Sequence, residues 1–164
     1  MTGAALIIGY GNVLRMDDGI GWHIAERLAD DPRLAGVTVL GRHQLTPELA
    51  LDISAAGFVV LVDARIGPPA GSFGVERVEP LGRHAAPMTH NLGPAGLVDL
   101  AIELYDRAPD VFVVSVGVES VEAGDRLTPI VEAAVPAVIE AIIELIQRRP
   151  DAGQPGLAAG LVHA

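Results

Sequence analysis

Cysteine and lysine are both missing from the chain, and aromatics are sparse: its 164 residues include two Tyr, three Phe and one Trp. Without cysteine there is no disulfide framework, thiolate metal site, iron–sulfur cluster or thiol nucleophile, so any metal would have to be held by His and carboxylates. All 11 basic side chains are Arg, which excludes a Schiff base, a lysine general base and a P-loop lysine. Positive charge is itself scarce, since 21 Asp and Glu against 11 Arg give a formal net charge of −10. That balance argues against a phosphate-neutralising nucleic-acid binder and against a protein held on an anionic membrane, and neither partner is expected. Long hydrophobic runs are absent too: no apolar stretch reaches the ~18 residues of a membrane span. The apolar N-terminal run lacks a basic flank and meets Gly9 at once, which reads as a first strand rather than a signal peptide. The expected location is the cytoplasm.

What the chain does have is alternation of apolar runs with helical periodicity, the pattern of a layered α/β domain. Strands are expected at residues 4–9, 37–41, 58–63, 72–78 and 111–118. A first helix is expected from about Asp17 or Asp18, with Ile20, Ile24, Ala25 and Leu28 on one face. Thr46-Pro47 and Thr128-Pro129 mark two more helix starts, Thr as the cap and Pro in the first turn. Another helix is expected over residues 94–107, burying Leu97, Leu100, Ala101 and Leu104. The last, over residues 129–147, is apolar nearly all round, and Pro136 is expected to kink it. Residues 1–148 thus read as one domain, and residues 149–164, rich in Gly, Pro and Ala, as a flexible C-terminal tail.

With right-handed crossovers, strand one lies between strands two and three, and ligand sites lie beyond the carboxyl ends of the strands. Asp18 and Asp63 then become neighbours despite their separation in sequence. Asp17 is accounted for as a helix cap. A second carboxylate facing Asp63 makes a costly like-charge cluster unless a cation or a shared proton relieves it. His90, in a loop just before a helix start, completes an O,O,N set with open positions, suited to an ion such as Zn²⁺ or Ni²⁺. His43 and Gln44, on a loop at the same edge, have no structural role and are placed to touch a partner. His23 and His84 read as surface residues. Gly9-Tyr10-Gly11-Asn12 suggests a dinucleotide loop, but Leu14 stands where a third glycine belongs and two Asp residues follow. Gly9 and Gly11 therefore read as a tight turn with positive φ, and no nucleotide cofactor is expected. The serines lack a nucleophile-elbow context.

Ile8-Gly9-Tyr10-Gly11-Asn12, Asp17-Asp18-Gly19-Ile20-Gly21, Val62-Asp63-Ala64, His90-Asn91-Leu92-Gly93, and Val116-Gly117-Val118-Glu119-Ser120 with Leu127-Thr128-Pro129 occur in this order between about residues 5 and 146. As an ordered set they resemble the hydrogenase maturation proteases. The resemblance implies a single-domain α/β fold, a three-layer α/β/α sandwich with a mostly parallel twisted sheet. It also implies an endopeptidase that removes the C-terminal extension of a nickel–iron hydrogenase large-subunit precursor once nickel is inserted. The family's metal-sensing residues fall on Asp18, Asp63 and His90, with Asp18 and Asp63 as the catalytic carboxylates of an aspartic-type or metal-assisted hydrolysis. The nickel is expected to arrive with the precursor, which is the expected partner. Where the family commonly has a Gly-Gly-Thr-like loop, this chain has His43-Gln44-Leu45. That variant resembles the branch serving bidirectional, NAD-linked hydrogenases and implies a role in substrate recognition. The alternative reading is a non-catalytic, chaperone-like protein that senses metal in the precursor through the same three residues.

Overall fold

Five short runs rich in β-branched residues form one sheet in the computed structural model, which describes residues 3–82 and 92–150. His84, His90, His163 and most of the C-terminal tail lie outside the described residues. The strands are β1 (Ala5–Tyr10), β2 (Thr38–Arg42), β3 (Phe58–Arg65), β4 (Phe73–Arg77) and β5 (Asp110–Gly117). They stand in the order β2-β1-β3-β5-β4. β1 is therefore between β2 and β3, as the crossover rule requires, and four strands run parallel with their carboxyl ends on one edge. β4 departs from that direction, pairing antiparallel with β5 as an edge strand.

Helices α1 (Ile20–Leu28), α2 (Leu49–Ala55), α3 (Pro94–Tyr105) and α4 (Pro129–Gln147) cover the two faces. Alternation along the strands explains how. Ile7, Val60, Val62, Val114 and Val116 face one way and pack with Ile20, Ile24 and Leu28 of α1 and with Val131, Val135, Val138 and Ile142 of α4. Ile8, Val59, Leu61 and Val111 face the other way, against Leu49 and Ile53 of α2 and Leu97, Val98 and Ala101 of α3. The strands are thus apolar on both faces because both are covered. The layers are helix, sheet and helix in a single α/β domain. No helix of the described residues is long and apolar enough to cross a membrane.

Several local expectations are corrected. α2 begins at Leu49 rather than at Thr46-Pro47, because residues 46–48 form a turn in which the carbonyls of Thr46 and Pro47 accept from the amides of Leu49 and Ala50. Leu104 is exposed, since the helix turns it away from the sheet. Pro136 lies inside α4, which continues as helix on both sides of it. Gly9 lies within β1 rather than in a turn. What requires glycine there is close approach: a β-carbon on Gly9 would overlap the backbone of Gly21 at the start of α1, and one on Gly21 would overlap the carbonyls of Val62 and Tyr10. The paired glycines let α1 sit directly on the ends of β1 and β3, which brings the acidic loop before it close to Asp63.

Candidate active site

The loop between β1 and α1 carries the first half of the site. Gly11 has φ +148°, and a β-carbon on it would strike the Asp18 carbonyl. Glycine here lets the chain fold back tightly. Met16, with φ +47°, is a non-glycine residue in the left-handed region. This conformation is uncommon, and surrounding contacts hold it. Those contacts come from the loop after β5. The Met16 amide donates to the Gly124 carbonyl at 2.9 Å, the Gly124 amide donates to Leu14 at 2.9 Å, and the Asp17 amide donates to Ser120 at 3.0 Å.

Asp17 is fully buried, and it is not the cap that its position at a helix start suggested. Its Oδ1 accepts from the Thr128 amide at 2.7 Å. Its Oδ2 accepts from the Thr128 hydroxyl at 2.7 Å and from the amides of Glu119 and Ser120 at 2.9 and 3.1 Å. Burial pushes this carboxyl up, but the bonds from Thr128, Glu119 and Ser120 outweigh it and hold Asp17 below the usual carboxylate range. The Thr128 hydroxyl, expected to cap α4, is committed to Asp17 instead. Asp17 is therefore a buried staple that joins the two loops framing the carboxyl edge.

With Asp17 turned inward, Asp18 turns toward the edge. Its Oδ2 accepts from the Asn12 amide at 3.0 Å. Asp63, near the end of β3, is partly buried, and burial is the main reason its carboxyl lies above the usual range. The negative charge of Asp18 pushes the same way, and the Ala64 amide and the nearby Tyr10 hydroxyl oppose both without reversing them. The two carboxylates that topology predicted to be neighbours are thus within electrostatic reach of each other.

Tyr10 is the residue sequence reasoning overlooked. Tyr10 and Asp63 follow in-register pairs of β1 and β3, Ile8 with Leu61 and Gly9 with Val62, so both point to the α2/α3 face. The Tyr10 hydroxyl is buried against Asp63 but short of hydrogen-bond alignment, and it has no other partner among the described residues. Burial, then the Asp63 charge, drive its ionisation far above the ordinary tyrosine range, so it stays a neutral phenol. The available signal was its place as the last residue of a buried strand, an even number of residues from the inward-facing Ile8.

The other candidates divide. His43 and Gln44 are exposed on the loop after β2, whereas Leu45 is buried with Ile8, Leu49 and Ala50 and anchors that loop from below. His90 lies outside the described residues, and among the described residues no group of three His, Cys, Asp or Glu side chains could hold a metal ion. His23 is less superficial than expected, with its Nε2 buried and without a hydrogen-bond partner among the described residues.

The doubly covered, mostly parallel sheet is shared with solved hydrogenase maturation proteases, and the resemblance read in the sequence is borne out by them. The hydrogenase-maturating endopeptidase HybD of E. coli superposes with a TM-score of 0.71 and 26% identity, covering 88% of this chain and 92% of its own. An endopeptidase of Escherichia coli solved in solution gives 0.64 at 25% identity, covering 85% and 89%. The [NiFe] hydrogenase maturation protease HycI of Thermococcus kodakarensis, at 24% identity, shares the fold with a TM-score of 0.68 over 88% of this chain and 92% of its own. No protein-family model matches the chain. No curated protein matches it either.

Proposed function

We propose that this chain is an endopeptidase of hydrogenase maturation. It removes the C-terminal extension of a nickel–iron hydrogenase large-subunit precursor after nickel insertion, and it meets the nickel as part of its substrate through Asp18, Asp63 and His90. The observation that carries this reading is the convergence of Asp18 and Asp63 at the carboxyl edge of a fold shared with maturation endopeptidases. A carboxyl raised above its usual range is a stronger base once ionised than an ordinary Asp. Asp63 is suited to take a proton from water as the water oxygen attacks the scissile carbonyl, and to return it to the departing amine. Asp18 keeps the site negative, and a cation carried by the precursor relieves that repulsion. A precursor without nickel leaves it in place, which makes the acidic pair a checkpoint for loading. Because this chain has no cysteine, the thiolates that hold nickel tightly belong to the substrate.

Incubation with nickel-loaded and nickel-free precursor tests the proposal. The expected result is a mobility shift, with loss of the C-terminal peptide, only for the loaded form. Equal trimming of both forms overturns the checkpoint, and binding of loaded precursor without trimming makes the protein a metal-sensing chaperone. His43 and Gln44 contact the precursor on this reading, with Leu45 fixing their loop. Replacing both by Ala is expected to raise KM by about tenfold, the loss of one or two hydrogen bonds of roughly 0.5–1.5 kcal/mol each. In steady-state cleavage assays kcat is expected to stay within about twofold.

A further inference from the structure

Beside the acidic pair, on the same face of the sheet, lies a cavity of about 220 Å³ bounded by Arg65, Ser72, Gly74, Glu76 and Ser115. Its position is fixed by register. Asp63 pairs with Ser115, and Ser115 pairs with Gly74. In-register residues of neighbouring strands point to one face, so Asp63, Ser115 and the open position at Gly74 form one row across β3, β5 and β4. Strands lie about 4.8 Å apart, so the cavity is roughly 5–10 Å from Asp63, close to the ~7 Å that an extended peptide covers in two residues.

The lining has a definite chemistry. Nη1 of Arg65 and Oε1 of Glu76 are 3.8 Å apart, too far for a hydrogen bond, so each keeps bonding capacity toward a group placed between them. A carboxamide supplies both complements, a carbonyl for the guanidinium and an NH₂ for the carboxylate. A charged side chain would satisfy one and repel the other. The Ser72 hydroxyl is spent on the Pro69 carbonyl at 2.6 Å. Pro68 and Phe73 complete the lining and add apolar surface to it.

We propose that this cavity is a specificity subsite of the peptide substrate, taking an Asn or Gln side chain two residues from the bond cut at Asp63. The inference rests on the endopeptidase reading and names what that site selects. Gly74→Val is a clean probe, because a β-carbon at this position meets nothing within 4 Å among the described residues and valine suits an edge strand. Its melting temperature is expected to equal or exceed that of the unaltered protein, while its side chain fills the cavity.

The cut in nickel-loaded precursor is first mapped by mass spectrometry. The three residues on each side are then changed singly to Ala, and kcat/KM is measured with the unaltered protein and with Gly74→Val. At one position two residues from the cut, Ala is expected to cost the unaltered protein about tenfold, the scale of one specificity contact, and to cost Gly74→Val nothing further. Exchanging Asn and Gln at that position preserves cleavage, whereas Glu, Arg or Leu loses it. Gly74→Val acting like the unaltered protein, a loss spread evenly over all positions, or a preference for a charged residue overturns the subsite. An unaltered protein that leaves loaded precursor uncut overturns the endopeptidase reading itself, an outcome separate from an active enzyme indifferent to Gly74→Val.

Discussion

Asp63→Asn is expected to reduce cleavage of nickel-loaded precursor by about 10³-fold, within the range that a general base contributes, while making the protein more stable at neutral pH. The two effects share a cause. Folding buries the Asp63 carboxyl beside Asp18 and raises its pKa above the unfolded value, so the folded state binds this proton more tightly than the unfolded chain does. Stability from this group is present below the unfolded value, about 3.9, and is lost as pH rises through the raised folded value. Asn does not titrate. The melting temperature of Asp63→Asn should therefore exceed that of the unaltered protein near pH 7, and the gap should close as pH falls toward the unfolded value. For the same reason, the acidic limb of the kcat/KM profile is expected above the pH at which an ordinary Asp ionises. Thermal melts across pH and a pH–rate profile check both, and a variant that is less stable at pH 7 would contradict the buried like-charge arrangement.

Asp17→Asn is expected to act in the opposite sense on stability. Asn keeps one acceptor oxygen, but its NH₂ group would face donors that now meet Oδ2, the Thr128 hydroxyl and the amides of Glu119 and Ser120. Leaving buried donors unsatisfied costs about 1–3 kcal/mol each, so a loss of roughly 3 kcal/mol or more is expected, about 10 °C in melting temperature for a domain of this size. Asp17 in the folded protein lies below its ordinary pKa, so its contribution is present above the unfolded value and disappears as pH falls through the folded one. The deficit of Asp17→Asn measured by denaturant unfolding is thus expected to be full at pH 7 and to shrink in acid. Cleavage should suffer as well, because the two loops that Asp17 joins frame Asp18. A variant as stable as the unaltered protein at pH 7 would remove Asp17 from this structural role.

The fold was legible because its signals are local and repeated. Five apolar runs match the strands to within about one residue at most ends, and Pro129 opens α4 where its ring was expected to. The order of β1 between β2 and β3 followed from crossover handedness, and the meeting of Asp18 with Asp63 followed from that order. The parts that were misread depend on partners far along the chain. Asp17 looks like a cap because its neighbours in sequence are a helix start, yet its partners are Glu119, Ser120 and Thr128. Leu45 looks like part of a recognition loop, yet the inward face of β1 draws it into the core. Tyr10 has no reading of its own beside Gly9 and Gly11, because Asp63 lies far along the chain and only the register of β1 on β3 brings the two together.

The staple at Asp17 also orders events in time. Its acceptor oxygens take hydrogen bonds from residues 102, 103 and 111 positions further along the chain. Contacts of such long separation form late, because the loops they close are costly. On the ribosome, β1, α1, β2, α2 and β3 emerge while the donors for Asp17 are still unmade. A nascent chain therefore holds both carboxylates of the acidic edge before it can lock the loop that aims one of them. The loop that aims Asp18 is therefore set only once synthesis has passed residue 128.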